Sequence, residues 1–172
     1  MAPPPPAPAR DTLVPVHLRS VPVSLAARAV SHREELLRGF AFIVADALNE
    51  DAEPAAHEVP AKVLDAFVTL AHEFGDLNDD AEARLAEAIA NGADTIDDLV
   101  LQLPQDASSM LKSIAVMLDE ADLYCWQADQ LLDLATPVDC LAFRRWWFST
   151  VLDQLDGRHP IGWPDSVAAR AM

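Results

Sequence analysis

Apolar residues recur along this chain at two different spacings. Leu25, Ala29, Leu36, Phe40, Ile43 and Ala47 return every three or four residues, which predicts a helix over about 25–48 with Ser24 as its N-cap. Val63, Leu64, Phe67, Leu70, Ala71 and Phe74 predict a second helix, opened by Pro60 and closed by Gly75. A short third helix is expected from about Asp80 to Asn91, with Asp79 and Glu82 at capping-box spacing and Gly92 as its stop. The fourth opens at Pro104 and runs to about Gln127. Met110, Leu111, Ile114, Leu118, Ala121 and Cys125 form its main stripe, and Val116, Leu123 and Trp126 form a second on another side. Apolar stripes on two sides predict a central helix. Thr136 is placed to cap the last helix, with Pro137 in its first turn and Gly157 at its end. Two segments break the helical period. "LVPVHLRSVPV" (13–23) puts prolines among β-branched residues, which predicts an extended edge piece, and "TIDDLVLQL" (95–103) alternates Leu99, Leu101 and Leu103. That is little strand for a sheet-based fold. The expected architecture is therefore all-α, an irregular bundle of about five helices with short extended links.

At 172 residues the length suits a single domain with tails. The expected boundaries are a disordered Pro-rich lead at 1–12 ("MAPPPPAPAR"), one helical domain at 13–164, and a flexible tail at 165–172. The formal charge of -16 is concentrated in the middle of the chain. Residues 39–143 carry 22 acids against Lys62, Arg84 and Lys112, whereas the flanks are slightly basic. Such a field repels nucleic acid and anionic membranes, keeps the chain soluble and favours basic partners. It is also what an acidic DNA mimic would carry. Cys125 and Cys140 sit in apolar runs outside any Cys-rich framework, no apolar run reaches membrane-spanning length, and the N-terminus lacks a signal pattern. These features predict a cytoplasmic location.

The last helix contains an anomaly, "FRRWWF" at 143–148. At about 100° per residue, Cys140, Phe143, Trp147, Phe148, Val151 and Leu155 fill one arc with Arg144 near its middle, Arg145 just past its edge and Trp146 on the other side. An inward guanidinium needs a carboxylate. In "LDEADLYC" (118–125) Asp122 borders the main stripe, Glu120 borders its other side and Asp119 points away. Arg144 is thus expected to pair with Asp122, in bidentate fashion if geometry allows. The competing expectation lays the arginine stem on apolar surface with its head in water, and Arg33 presents the same choice.

Candidate chemistry is sparse. Asp76, Asn78, Asp80, Glu82 and Glu87 match five positions of a calcium loop, but Ala81 stands where the turn needs glycine. "HEFGD" (72–76) lacks the second histidine of a zinc helix, and the five glycines form neither a phosphate loop nor a dinucleotide fingerprint. Expected catalytic, cofactor-binding and metal-binding residues are therefore none. An alternative reading builds a ligand-binding or enzymatic bundle around Asp119, Asp122 and Arg144.

From about Leu36 to Trp163 the chain resembles a small helical domain of actinobacterial signalling proteins, one that accompanies histidine-kinase-like ATPase modules of the anti-sigma type and STAS partners. "LLRGFAFIVAD" (36–46), "VPAKVLD" (59–65), "LDEADLYC" (118–125) and "LLDLATPVDCLAFRRWWFSTVLDQL" (131–155) carry the resemblance, the last two most specifically. The chain has none of the ATPase's nucleotide-binding glycines, so the resemblance implies a non-enzymatic module of partner-switching type. It implies a protein partner, such as an anti-sigma-type ATPase or a STAS protein, without direct nucleic-acid or membrane binding. Arg145, Trp146, Trp126 and Trp163 are the expected contact residues, because aromatic and arginine side chains anchor interfaces.

Overall fold

The computed structural model describes residues 13–47, 75–127 and 135–163. In chain order the elements are β1 (Leu13–Pro22), α1 (Val23–Ala47), α2 (Gly75–Ala90), β2 (Thr95–Pro104), α3 (Ser108–Gln127) and α4 (Val138–Leu155). The predicted helix at 60–75, the acidic stretch 49–59 and both tails lie outside the described residues, Gly75 excepted.

The expectation of an all-α bundle of about five helices is corrected. Four helices and a two-stranded antiparallel sheet form among the described residues. The two segments expected to be links are the strands, paired from Leu13↔Pro104 to Pro22↔Thr95. Local pattern identified both as extended but could not show that residues more than seventy positions apart would pair. A lone two-stranded ribbon is marginal in water and needs a covering layer. Here the cover is helical. α2 packs on β2, α4 packs on β1, and α1 contacts both of those helices. Val16, Leu18, Leu99, Leu101 and Leu103 are buried within one cluster that draws on all six described elements. Each such side chain contributes about 1.5–3 kcal/mol by leaving water.

The inward face of the ribbon changes parity along its length. Val16 and Leu18 are buried, and then Val21 and Val23 are. Ser20 makes the switch, with φ 57 in the left-handed region. The register is the same before and after it, so no residue is inserted. Opposite, β2 buries Leu99, Leu101 and Leu103 but turns Ile96 part-way inward, leaving Asp97 and Asp98 exposed. The twist at Ser20 therefore lets the strand deliver Val23 to the core as α1 begins, where the Val23 N–H donates to the Asp94 carbonyl at 3.0 Å.

Several element ends differ from expectation. α1 begins at Val23, so Ser24 lies inside the first turn. Gly75 is the first described residue of α2, and the helix it was expected to close lies outside the described residues. Pro104 ends β2, and α3 starts only at Ser108 after a turn closed by Ala107 N–H to the Pro104 carbonyl. The third predicted helix is longer than expected at its N-terminal end, which removes the capping-box role of Asp79 and Glu82. Gly92 and Gly157 do end α2 and α4 in the left-handed conformation, at φ 66 and φ 83.

Ser20 sets a direct test. Left-handed φ costs an ordinary residue on the order of 1 kcal/mol and a β-branched residue more. Ser20→Gly should leave stability unchanged or raise it by up to about 1 kcal/mol, whereas Ser20→Val should lower it by about 1–3 kcal/mol. Urea unfolding of the two variants beside wild type measures the difference.

Candidate functional site

The densest polar cluster lies where α3, α4 and the segment before α4 meet. Apolar periodicity on α3 turns Leu111, Ile114, Leu118, Ala121 and Cys125 inward and carries Asp122 with them. That carboxylate is 8% exposed and Arg144 is 15% exposed. Arg144 Nη2 lies 2.5 Å from Asp122 Oδ2 and 2.9 Å from Asp119 Oδ1. One nitrogen thus serves two carboxylates, and the bidentate fork does not form. Asp119, expected to point away, joins the cluster because the guanidinium of α4 reaches across to the exposed side of α3. Its own side chain remains 52% exposed.

Thr136 completes the cluster. Its hydroxyl lies 2.6 Å from Asp122 Oδ1, and its backbone N–H donates to the same oxygen at 3.3 Å. The expected helix cap is therefore corrected, since Pro137 occupies the cap position and no side chain caps α4. A hydroxyl carries one proton, and a carboxylate takes it in the stronger, charge-assisted bond. Thr136 Oγ1 is then an acceptor toward His32 Nε2 at 3.2 Å and Arg144 Nη1 at 3.5 Å. That assignment makes His32 the Nε2–H tautomer. Burial is the main cause that pushes the His32 imidazole below its ordinary pKa, aided by the Arg144 cation and opposed by Asp122 and Glu35. Sequence reasoning missed His32, which stands in no motif, and gave Thr136 a capping role instead of one beside Asp122.

Arg33 resolves the same way, with Nη2 at 2.5 Å from Glu82 Oε1, joining α1 to α2. The calcium-loop pattern from Asp76 to Glu87 lies along α2, one continuous helix. Residues two apart on a helix diverge by about 200°, so Asp80 and Glu82 do not face a common point. Among the described residues no group of three metal-ligating side chains converges. Burial also pushes the Cys125 thiol up, to about 11, and raises that of Cys140, which disfavours the thiolate at both.

The four expected contact residues part ways. Trp146, expected to project outward, is 1% exposed. Its indole N–H donates to the Ile161 carbonyl at 2.9 Å, and its ring meets Phe143 and Trp163 at 5.4 and 5.5 Å between centroids. The chain beyond Gly157 folds back over the side of α4 that a lone wheel shows as outward. Trp163 is half-buried in that packing. Arg145 is exposed. Trp126 is 56% exposed, and Val116 and Leu123 beside it are 58% and 57% exposed. α3 is thus buried on one side only, and its expected central position is corrected.

No protein-family model, curated protein or solved structure matches this chain. No helix among the described residues is long and apolar enough to cross a membrane.

The cluster yields two predictions. Removing one partner strands a buried charge, so Arg144→Met or Asp122→Leu alone should cost about 3–5 kcal/mol, and the double substitution should cost less than either. Asp119→Ala, at an exposed position, should cost under about 1 kcal/mol. Guanidinium unfolding of the four proteins gives the ordering. His32 takes up its proton at lower pH in the folded chain than in the unfolded one. Its contribution is therefore full above the unfolded pKa of about 6.5 and is lost as pH falls from there through the folded value. Wild type should lose more stability than His32→Gln between pH 7.5 and 5.5, measured by unfolding midpoints at both pH values.

Proposed function

We propose that this chain is a non-enzymatic module of bacterial signalling that binds a basic protein segment along the outer face of α3. The supporting observation is the row Val116, Leu123 and Trp126. Three large apolar side chains, each more than half exposed, lie on one side of a helix over about 15 Å. Contiguous exposed apolar surface of this kind marks interaction sites, and spacing over two to three turns suits an extended or helical partner. Asp119 and Glu120 stand between the apolar residues, in a chain of net charge -16. That setting selects a partner with positive charge beside its apolar anchors. Arg145 lies on α4, outside this row, while Trp146 and Trp163 serve the fold and are withdrawn as contacts.

The internal pairing of the polar groups supports a non-enzymatic role. Arg144, Asp119, Asp122, Thr136 and His32 satisfy one another, and catalysis needs groups aimed at a reacting atom. The resemblance in the sequence makes an anti-sigma-type ATPase or a STAS protein the first partner to test, in partner switching. We place the protein in the cytoplasm, in keeping with two buried cysteines that are not joined as a disulfide.

The experiment compares full-length wild type with Leu123→Glu/Trp126→Glu as baits in native lysate, followed by binding measurements on the partner recovered. Losing a central aromatic anchor costs about 2 kcal/mol or more, so affinity should fall at least about thirtyfold while the fold, followed by circular dichroism, stays intact. A partner held equally by both baits, or no partner above a tag-only control, would overturn the reading.

A further inference from the structure

Behind the polar cluster, and separate from the outer face of α3, the core holds an apolar pocket of about 140 Å³ that is partly open to the surface. Its walls come from all six described elements, with Leu36, Leu85, Leu99, Leu118, Phe143 and Phe148 among them. We infer that this cavity is a binding site for a small uncharged aromatic molecule of one or two rings.

Size, polarity and charge each narrow the occupant. An apolar cavity of about 150 Å³ in another protein takes up benzene, which sets the size scale. The apolar lining atoms here lack the dispersion contacts on the pocket side that an occupant would restore. Phe143 and Phe148 stand in the lining, which suits an aromatic guest. The polar side chains in the lining are already engaged. Arg33 holds Glu82, Arg144 holds Asp119 and Asp122, and Thr136 lies between Asp122 and His32. A carboxylate guest would have to displace one of those acids from its arginine, against a net charge of -16. A cationic guest would have to break the same pairs from the other side. Asp119 and Asp122 do not line the cavity, so the guest is held by shape and apolar contact.

The test titrates the full-length protein with indole and with benzene, using benzoate as the charged control. It follows the methyl NMR signals of Leu36, Leu85 and Leu118 together with the thermal midpoint. Indole or benzene should shift those methyls saturably and raise the midpoint, whereas benzoate at the same concentrations should leave them unmoved. Ala29→Leu, on the α1 wall, should fill the space, keep or raise the midpoint and weaken binding at least tenfold. Ala81→Leu, on the α2 wall, gives a second filling variant should the first not fold. The inference fails if neither indole nor benzene moves the lining methyls up to its solubility limit. It fails equally if benzoate binds as well as they do, or if a folded filling variant titrates like wild type. Binding at the α3 face is read by Leu123→Glu/Trp126→Glu, so the two ideas stand or fall separately.

Discussion

A carboxylate inside a protein must be answered by donors, and Asp122 is answered by three. The Arg144 guanidinium reaches it from α4, and the Thr136 hydroxyl and N–H reach it from the segment before α4. These bonds fix how α4 lies against α3, because any slide along the axis would strand the charge. His32 of α1 then meets Thr136, so a third helix is referred to the same point. Every buried side-chain nitrogen and oxygen among the described residues has a hydrogen-bond partner. The anomaly in "FRRWWF" is thus structural. One arginine neutralises an inward acid, its neighbour stays in solvent, and the tryptophan after them anchors the returning chain.

The ribbon depends on α4 in a second way. Gln154 places its side-chain amide against β1, accepting from the His17 N–H and donating to the His17 carbonyl, both at 2.8 Å. An amide side chain thus takes the place of a strand partner on the open edge of β1 and satisfies groups that an edge strand exposes. On the outer face His17 Nδ1 lies 2.8 Å from Asp98 Oδ2, diagonally across the register. The sheet remains two strands wide because side chains and helices supply what a third strand would.

This arrangement separates stability from surface chemistry. Two charged pairs lie at helix junctions, Arg28–Asp139 tying α1 to α4 and Arg33–Glu82 tying it to α2. Apolar groups remain in two places of different shape: the exposed row on α3 and the partly open pocket in the core. They suit different occupants, since a surface row meets another macromolecule while a cavity of about 140 Å³ admits only a small one. Leu118 and Val116 show how the division arises, two positions apart on one helix and facing opposite ways.

Much of the element content was legible in the sequence. Period-two spacing marked β2, prolines among β-branched residues marked β1 as extended, and three- and four-residue spacing marked the helices, since burial on one face imposes these repeats. The inward placement of Arg144 and its need for an acid on α3 also followed from a helix wheel. Left-handed helix ends at Gly92 and Gly157 followed from glycine's lack of a Cβ. Tertiary structure decided the rest. Pairing of β1 with β2 depends on residues far apart in sequence, so local pattern showed two links where a sheet forms. Trp146 is buried because the segment after Gly157 returns over it, and a wheel drawn for one helix contains no such neighbour. Thr136 gave up its capping role because a buried carboxylate binds its hydroxyl more strongly than an exposed helix end does. Sequence periodicity records which face of an element leaves water; what covers that face depends on the path of the whole chain.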